Sequence, residues 1–242
     1  MSDSKLNPTR NNQSTEKALA IIEYLASQPA PARLRDISDA LSLNVSTAAR
    51  FLSALQNCGY AAQEAASQRY YLTYKICRIA NQVSSATHLP TITHPHLVRL
   101  SEQFRKALHV SVERSMSMVC IDSADRLLRP QFHTLQVGEA TPLHCTACGK
   151  LFLLNYSEEQ LALLLSKDRL VRYTENTICV KEDLIRELNL TRRRGYACNQ
   201  EEYKDGICCI AYPVFDYTGK VTAAIGMTSS PEEFGTISED AS

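Results

Sequence analysis

The reactive inventory of this 242-residue chain is dominated by nine cysteines. Cys145 and Cys148 form a C-x-x-C, the spacing of half a zinc site or of a redox pair. Cys208 and Cys209 are adjacent. In a strand such neighbours face opposite sides, so at most one joins any site. No second C-x-x-C follows. The cysteine count is odd and the N-terminus MSDSKLNPTRNNQ lacks an apolar signal region, so a disulfide framework is not expected and a cytoplasmic location is. Buried reduced thiols are the default reading; a metal- or redox-responsive site through Cys145, Cys148 and Cys209 is the alternative. As a nucleophile, Cys209 would need a nearby base that the sequence does not supply. His94 and His96 flank Pro95 at a helix start, and His144 precedes another helix, where it is a candidate to line a pocket. No Ser/His/Asp order, glycine-rich nucleotide loop or His-Glu-x-x-His is present. The pattern calls for neither an enzyme nor a cofactor.

A second kind of chemistry lies between Arg33 and Tyr60. Leu34, Ile37, Ala40 and Leu41 are spaced to share one face of a short helix. Leu43-Asn44 makes a turn, with Asn44 as a candidate N-cap. A second helix follows with Val45, Ala48, Ala49, Leu52 and Leu55 expected on its inner face. Ser46, Thr47, Arg50 and Ser53 are then left pointing outward. Hydroxyls and an arginine opposite an apolar stripe suit a recognition helix in a major groove. Arg50 is the candidate for guanine O6 and N7, with Ser46, Thr47, Arg33 and Arg35 on phosphates. Two short segments follow, Gly59–Glu64 and Tyr70–Thr73, around a polar turn that carries Gln68 and Arg69 at its tip. This order of elements predicts a winged helix whose wing makes a phosphate or minor-groove contact.

These elements must be held by the rest of the chain. Residues 1–13 read as a disordered arm, followed by a helix capped by Ser14 and stopped by Pro29 and Pro31. The winged domain is expected over 14–73, a linker helix over 74–89, and a second domain over 90–242. Ile76, Ile79, Ala80 and Val83 give the linker an apolar stripe suited to a second copy of itself, as a palindrome reader needs. Net charge is zero, but residues 1–86 hold nine Lys/Arg against six Asp/Glu, so the basic half carries the hairpin. No stretch approaches the ~18 apolar residues of a membrane span.

In the second domain the spacing predicts a helix at His94–Lys106 with Leu97, Leu100 and Phe104 inward. Strands are expected at His109–Arg114, Met116–Asp122 and Leu127–Phe132, and a loop at Val137–Pro142. Helices follow from near Thr146, at Ser157–Leu165 and at Lys181–Arg194. The last strands are Ala197–Asn199, Ile207–Phe215 and Val221–Thr228. The fold class is α+β, an antiparallel sheet with helices interleaved. Unpaired amides where the loop enters the helix at Thr146–Gly149 favour a small carboxylate.

From Ser14 to Ser230 the chain resembles a bacterial IclR-type transcriptional regulator. The resemblance is carried by Glu16–Leu19, Leu43–Leu52, Leu55, Gly59-Tyr60 and Tyr71-Leu72. In the second domain it is carried by Pro142–Lys150, Arg194–Ala197, Glu201-Glu202 and Gly206–Asp216. It implies a winged-helix reader of double-stranded operator DNA, a linker helix, and a GAF-like effector domain in a homodimer or homotetramer. It also implies a ligand site at Ala147, Cys148, Asn199, Cys209, Gly226 and Thr228. Two departures bear on that site: the family's Asp is Asn199 here, and one of two serines is Gly226. The effector is therefore expected to be a small organic acid or a sugar acid. A ligand-insensitive DNA-binding dimer is the alternative. At position 45 the family often has Lys or Arg and this chain has Val45. The acidic tail Glu232–Ser242 is not expected to replace the family's final helix.

Overall fold

The computed structural model describes residues 12–85, 88–125, 135–157, 159–162 and 170–240. The chain divides into two compact units, Met1–Ala86 and Thr87–Ser242.

In the first unit α1 (Gln13–Ser27) is capped by Asn12, whose Oδ1 accepts from the amides of Ser14 and Thr15. The cap therefore lies two residues before the expected Ser14, and of the expected arm residues 1–11 lie outside the described residues. α2 (Leu34–Ala40) and α3 (Val45–Asn57) follow. Ser42 makes the turn between them with a left-handed φ of 52°. Asn44 sits at the N-cap of α3 but its side chain caps nothing. Gly59 ends α3 with φ +76°, a conformation that a side chain would strain. The wing is an antiparallel pair, β1 (Ala61–Gln63) and β2 (Tyr70–Leu72), extended by a bridge from Tyr70 to Ala32. Ile21, Leu25, Ile37, Leu52 and Leu55 form the core under these elements. Two expected inward positions are wrong. Ala40 is exposed, and Val45 is 50% exposed because the first turn of α3 projects past that core. α4 (Lys75–Ser85) forms within the stretch expected as a linker helix. Lys75 ties its start to the winged fold by donating to the Cys58 carbonyl at 2.6 Å.

The second unit is a six-stranded antiparallel sheet in the order β5-β4-β3-β8-β7-β6. Its strands are β3 (Ala107–Arg114), β4 (Ser117–Ala124), β5 (Ala140–Pro142), β6 (Ala197–Gln200), β7 (Cys208–Phe215) and β8 (Val221–Ser229). β5 occupies part of the expected loop at Val137–Pro142. The strand expected at Leu127–Phe132 lies outside the described residues. α5 (Leu89–Phe104) begins five residues before its expected start and carries Pro95 inside. It packs against β3 and β4 through Leu97, while Phe104, expected inward, is 49% exposed. On the other face α6 (Ala147–Leu153) lies across β6, β7 and β8, beside α7 (Lys181–Arg194). Of the helix expected at Ser157–Leu165, residues 159–162 are helical and 158 and 163–165 lie outside the described residues.

The expected loss of a final helix is also corrected. α8 (Pro231–Asp240) forms, and its Phe234 is buried against Cys198, Cys208 and Ile210. The buried ring of Phe234 anchors a tail that is otherwise rich in acidic and polar residues, which composition alone does not reveal.

A bulge interrupts the β3–β4 ladder between Val110 and Ser111: Val110 faces Asp122 while Ser111 faces Cys120, so Ile121 is unpaired. Met118 therefore packs toward α6, whereas Asp122 points to α5. There it accepts from Thr93 Oγ1 at 3.2 Å and meets His94 Nδ1 at 2.9 Å.

Candidate functional site

Two groups of residues carry functional chemistry, one in each unit. On α3, Ser46 and Arg50 are exposed and Thr47 is half-buried. Arg50 has no acidic partner among the described residues, and its guanidinium lies 5.6 Å from the Phe51 ring centroid. Arg33 and Arg35 are exposed, the latter 3.9 Å from Asp39. Arg69 departs from expectation. It is half-buried at the base of the wing turn, and its Nη1 donates back to the Pro31 carbonyl at 3.1 Å. Gln68, by contrast, is exposed.

In the second unit the strand register assembles a cavity of about 340 Å³. Asn199 on β6 pairs with Cys209 on β7, which pairs with Thr228 on β8. Residues directly opposite in antiparallel strands share a face, so these three form one row. Ala147 and Cys148 of α6 lie across from it, and all five line the cavity. Gly226 does not. A Cβ there would stand 2.4 Å from both Cε1 and Nε2 of His109 and 3.0 Å from Cys148 Sγ. The imidazole of His109, opposite Gly226 in the β3–β8 register, fills that space.

Sequence reasoning missed His109, and with it Tyr173, Tyr203, Met118, Leu135, Ile207, Glu139 and Lys204. A signal for His109 existed: it alternates with Ala107 and Ser111 on the strand face toward α6. The two tyrosines come from separate loops, with ring centroids 5.1 Å apart, and only the folded chain brings them together. His144 does not line the cavity. Its ring meets the Val171 carbonyl at 3.0 Å.

The cavity interior is electrically neutral. Burial pushes the Cys209 thiol up to about 12 and Cys148 well above its ordinary value, so both remain S–H. Burial likewise pushes His109 down to about 4, so the ring is uncharged near neutrality. Among the described residues, the charged groups that line the cavity are Lys204, which is exposed, and Glu139, half-exposed. Asn199 Oδ1 accepts from the Glu202 amide at 2.8 Å. The thiols do not converge on a metal: among the described residues no group of three or more His, Cys, Asp or Glu is placed to hold one. Cys145, the other half of the C-x-x-C, is buried away from the cavity lining. Cys145 precedes the N-cap Thr146, whereas Cys148 lies in the first turn of α6, so the two thiols have different surroundings.

Beneath the cavity lies a buried ion network. Lys150 on α6 is 1% exposed. Its Nζ donates to Glu202 Oε1 at 2.6 Å and to the Cys198 carbonyl at 2.8 Å, and stands 3.6 Å from Glu187 Oε1. Arg194 Nη2 holds the same Glu187 oxygen at 2.8 Å. Burial raises the Glu202 carboxyl, opposed by Lys150. This network ties α6, α7 and β6 together, and Glu202 is itself joined to the cavity through Asn199.

The family models match both units: the bacterial transcriptional regulator IclR C-terminal model covers residues 81–240, and the IclR helix-turn-helix model covers 14–65. This chain belongs to the IclR family. The HTH-type transcriptional regulator KdgR of Dickeya chrysanthemi is 31% identical over 195 residues, which is 81% of this chain and 64%, slightly under two thirds, of that protein. The glycerol operon regulatory protein of Streptomyces coelicolor is 31% identical over 92% of this chain and 87% of its own length. The crystal structure of Thermotoga maritima IclR superposes with a TM-score of 0.77 at 26% identity, over 95% of each chain. The IclR family is one of transcriptional regulators rather than enzymes, with a DNA-binding helix-turn-helix and a C-terminal effector domain. No helix among the described residues is long and apolar enough to cross a membrane.

Proposed function

We propose that this regulator binds a small organic acid or sugar acid in the cavity at Asn199, Cys209 and Thr228, and that binding alters its hold on operator DNA in the cytoplasm. The observation that carries this reading is a cavity lined mainly by uncharged groups, with exposed Lys204 and half-exposed Glu139 as the charged residues among those described. A carboxylate buried among uncharged groups loses hydration that nothing there replaces. At Lys204 it keeps both water and a cation, while hydroxyl or carbonyl oxygens reach inward to the Asn199 amide and the Thr228 hydroxyl. Ala147 and Cys148 bound the opposite wall. A melting-temperature screen with small carboxylates and sugar acids tests this: a binder raises the midpoint in proportion to the logarithm of its concentration. No shift with any acid would instead favour a ligand-insensitive DNA-binding protein.

On the DNA side, α3 acts as the recognition helix. Arg50 reads a guanine, Ser46 and Thr47 meet phosphate, and Arg33 and Arg35 reach the flanking backbone. Exposed Val45 suits an apolar contact such as a thymine methyl. Arg69 contributes less than the tip residue Gln68, since part of its guanidinium is held by Pro31. Arg50→Ala is expected to lose about 1–3 kcal/mol at one base pair and to relax preference there. Binding measured on single-base variants of a selected site decides it. A loss spread equally over all sequences would make Arg50 a phosphate contact. The chain acts as a homodimer or homotetramer. In support, Ile79 and Val83 leave α4 with an exposed apolar stripe, 36% and 69% accessible, that a second copy would cover.

A further inference from the structure

Asn199 is a buried amide with one end committed and the other free. The residue is 4% exposed and lines the cavity, while its β6 neighbours Cys198 and Gln200 lie on the opposite face of the sheet. Its Oδ1 accepts from the Glu202 amide at 2.8 Å. That bond fixes which end of the side chain is oxygen, because a flipped amide would set its NH2 against a backbone N–H. Glu202 is itself held on two other sides. Its carboxylate accepts from Lys150 Nζ at 2.6 Å, and its carbonyl accepts from Thr177 Oγ1 at 2.6 Å. The other end of Asn199, Nδ2, makes no hydrogen bond to any described residue, and it is not among the unpartnered side-chain atoms that are sealed from water. An amide nitrogen that is neither paired nor sealed, on a residue otherwise buried, opens on the cavity that the residue lines.

We propose that Asn199, locked by Glu202 so that it offers only N–H donors, sets specificity in the effector cavity by selecting an oxo-acid, whose carbonyl oxygen accepts from Nδ2, and that the identity of this one side chain decides between oxo- and hydroxy-acids. The inference rests on the acid-binding reading given above and deepens it. A carbonyl oxygen suits this place better than a second carboxylate, because the next residues of the row, Cys209 and Thr228, carry no charge and a buried anion there would lose its hydration. A carbon chain without the oxygen leaves the Nδ2 hydrogens dry and unpaired, which is the arrangement that discriminates most sharply between otherwise similar ligands. The charged end of the effector stays at Lys204.

The test uses matched series of acids on the full-length protein: butyrate, 2-oxobutyrate and 2-hydroxybutyrate; pentanoate, 4-oxopentanoate and 4-hydroxypentanoate; and gluconate against 5-dehydrogluconate. Melting-temperature titrations give the apparent Kd of each. In at least one series the oxo member is expected to bind wild type at least about ten-fold more tightly than the member without the oxygen. Asn199→Asp is the informative variant. One carboxylate oxygen still accepts from the Glu202 amide, so the local fold is kept, while the other repels a carbonyl oxygen and accepts from a hydroxyl. The ratio of oxo to hydroxy affinity is therefore expected to move at least about ten-fold toward the hydroxy member. Acids that bind wild type equally with and without the oxygen overturn the proposal and leave acid binding standing, as does an oxo-to-hydroxy ratio that Asn199→Asp leaves unchanged. No binding by any acid overturns both. Where Asn199→Asp fails to fold, proton–nitrogen spectra of asparagine-labelled wild type decide, with Asn199 assigned by its loss in Asn199→Ser. One Nδ2 proton is expected to move downfield on adding the oxo-acid and not on adding the simple acid, and no such movement would overturn the proposal.

Discussion

Lys150→Ala is expected to destabilise the C-terminal unit by about 3–5 kcal/mol, the usual cost of removing one partner from a buried ion pair. Its ammonium is enclosed by Glu202, Glu187 and the Cys198 carbonyl. Without it, Glu202 keeps a buried carboxylate with no counter-charge, and its second oxygen, Oε2, is already without a partner among the described residues. Arg194 still covers Glu187, so the loss centres on Glu202. Adding Glu202→Gln to Lys150→Ala is expected to recover part of the stability, because a neutral amide tolerates burial better than an orphaned charge. Urea unfolding followed by circular dichroism measures both. A single variant within about 0.5 kcal/mol of wild type, the range of ordinary surface changes, would mean that water reaches the network freely. Lys150 also fixes α6 over the sheet, so its loss is expected to loosen the cavity wall at Ala147 and Cys148.

The second large effect is Gly149→Ala. Two contributions oppose each other. Alanine gains about 1 kcal/mol over glycine in a helix interior. Against this, a Cβ at 149 would stand 2.4 Å from the Leu143 carbonyl oxygen, 2.4 Å from Thr146 Oγ1 and 2.5 Å from Leu143 Cα. Two of these atoms are backbone, and Thr146 Oγ1 is held by its 2.7 Å bond to the Pro142 carbonyl. None can swing aside as a flexible side chain would. The clash prevails, and a net loss of about 3 kcal/mol is expected, at the upper end of overpacking costs. The same urea experiment measures it. A gain in stability would mean that α6 can lift from the 143–146 loop without penalty.

The features legible in the sequence are those written in local period and in punctuation. α7 begins and ends at the expected residues, Lys181 and Arg194, because acidic residues open it and Gly195 closes it in a left-handed conformation. The wing was legible from aromatic strands around a polar turn. Five of the six expected ligand residues line one cavity, because the family blocks carry register as well as composition. What was not legible depends on partners distant in the chain. Val45 belongs to an apolar spacing but lies beyond the reach of the core. Phe104 lies on the last turn of α5, past the sheet it was expected to meet. Gly226 looked like a missing hydroxyl, and only the opposite strand shows it to be space for His109. Lys150, Glu187 and Glu202 are ordinary surface residue types whose burial arises from three elements meeting.

The unpaired Ile121 also sets how this protein tolerates changes in length. Met118, Cys120, Asp122 and Ala124 form an unbroken every-second-residue series of buried positions, which would suit a single face. The bulge divides them, sending the sulfur-bearing pair toward α6 and the other two toward α5. Deleting Ile121 would therefore keep the remaining side chains of β4 on the faces they already occupy, at the cost of the packing of Ile121 itself against the α5 layer. Deleting Val119 or inserting a residue beside it would exchange the layers for one part of the strand or the other. β4 has one place where a codon can be lost without exchanging its two faces, and homologues that differ in length within this strand are expected to differ there.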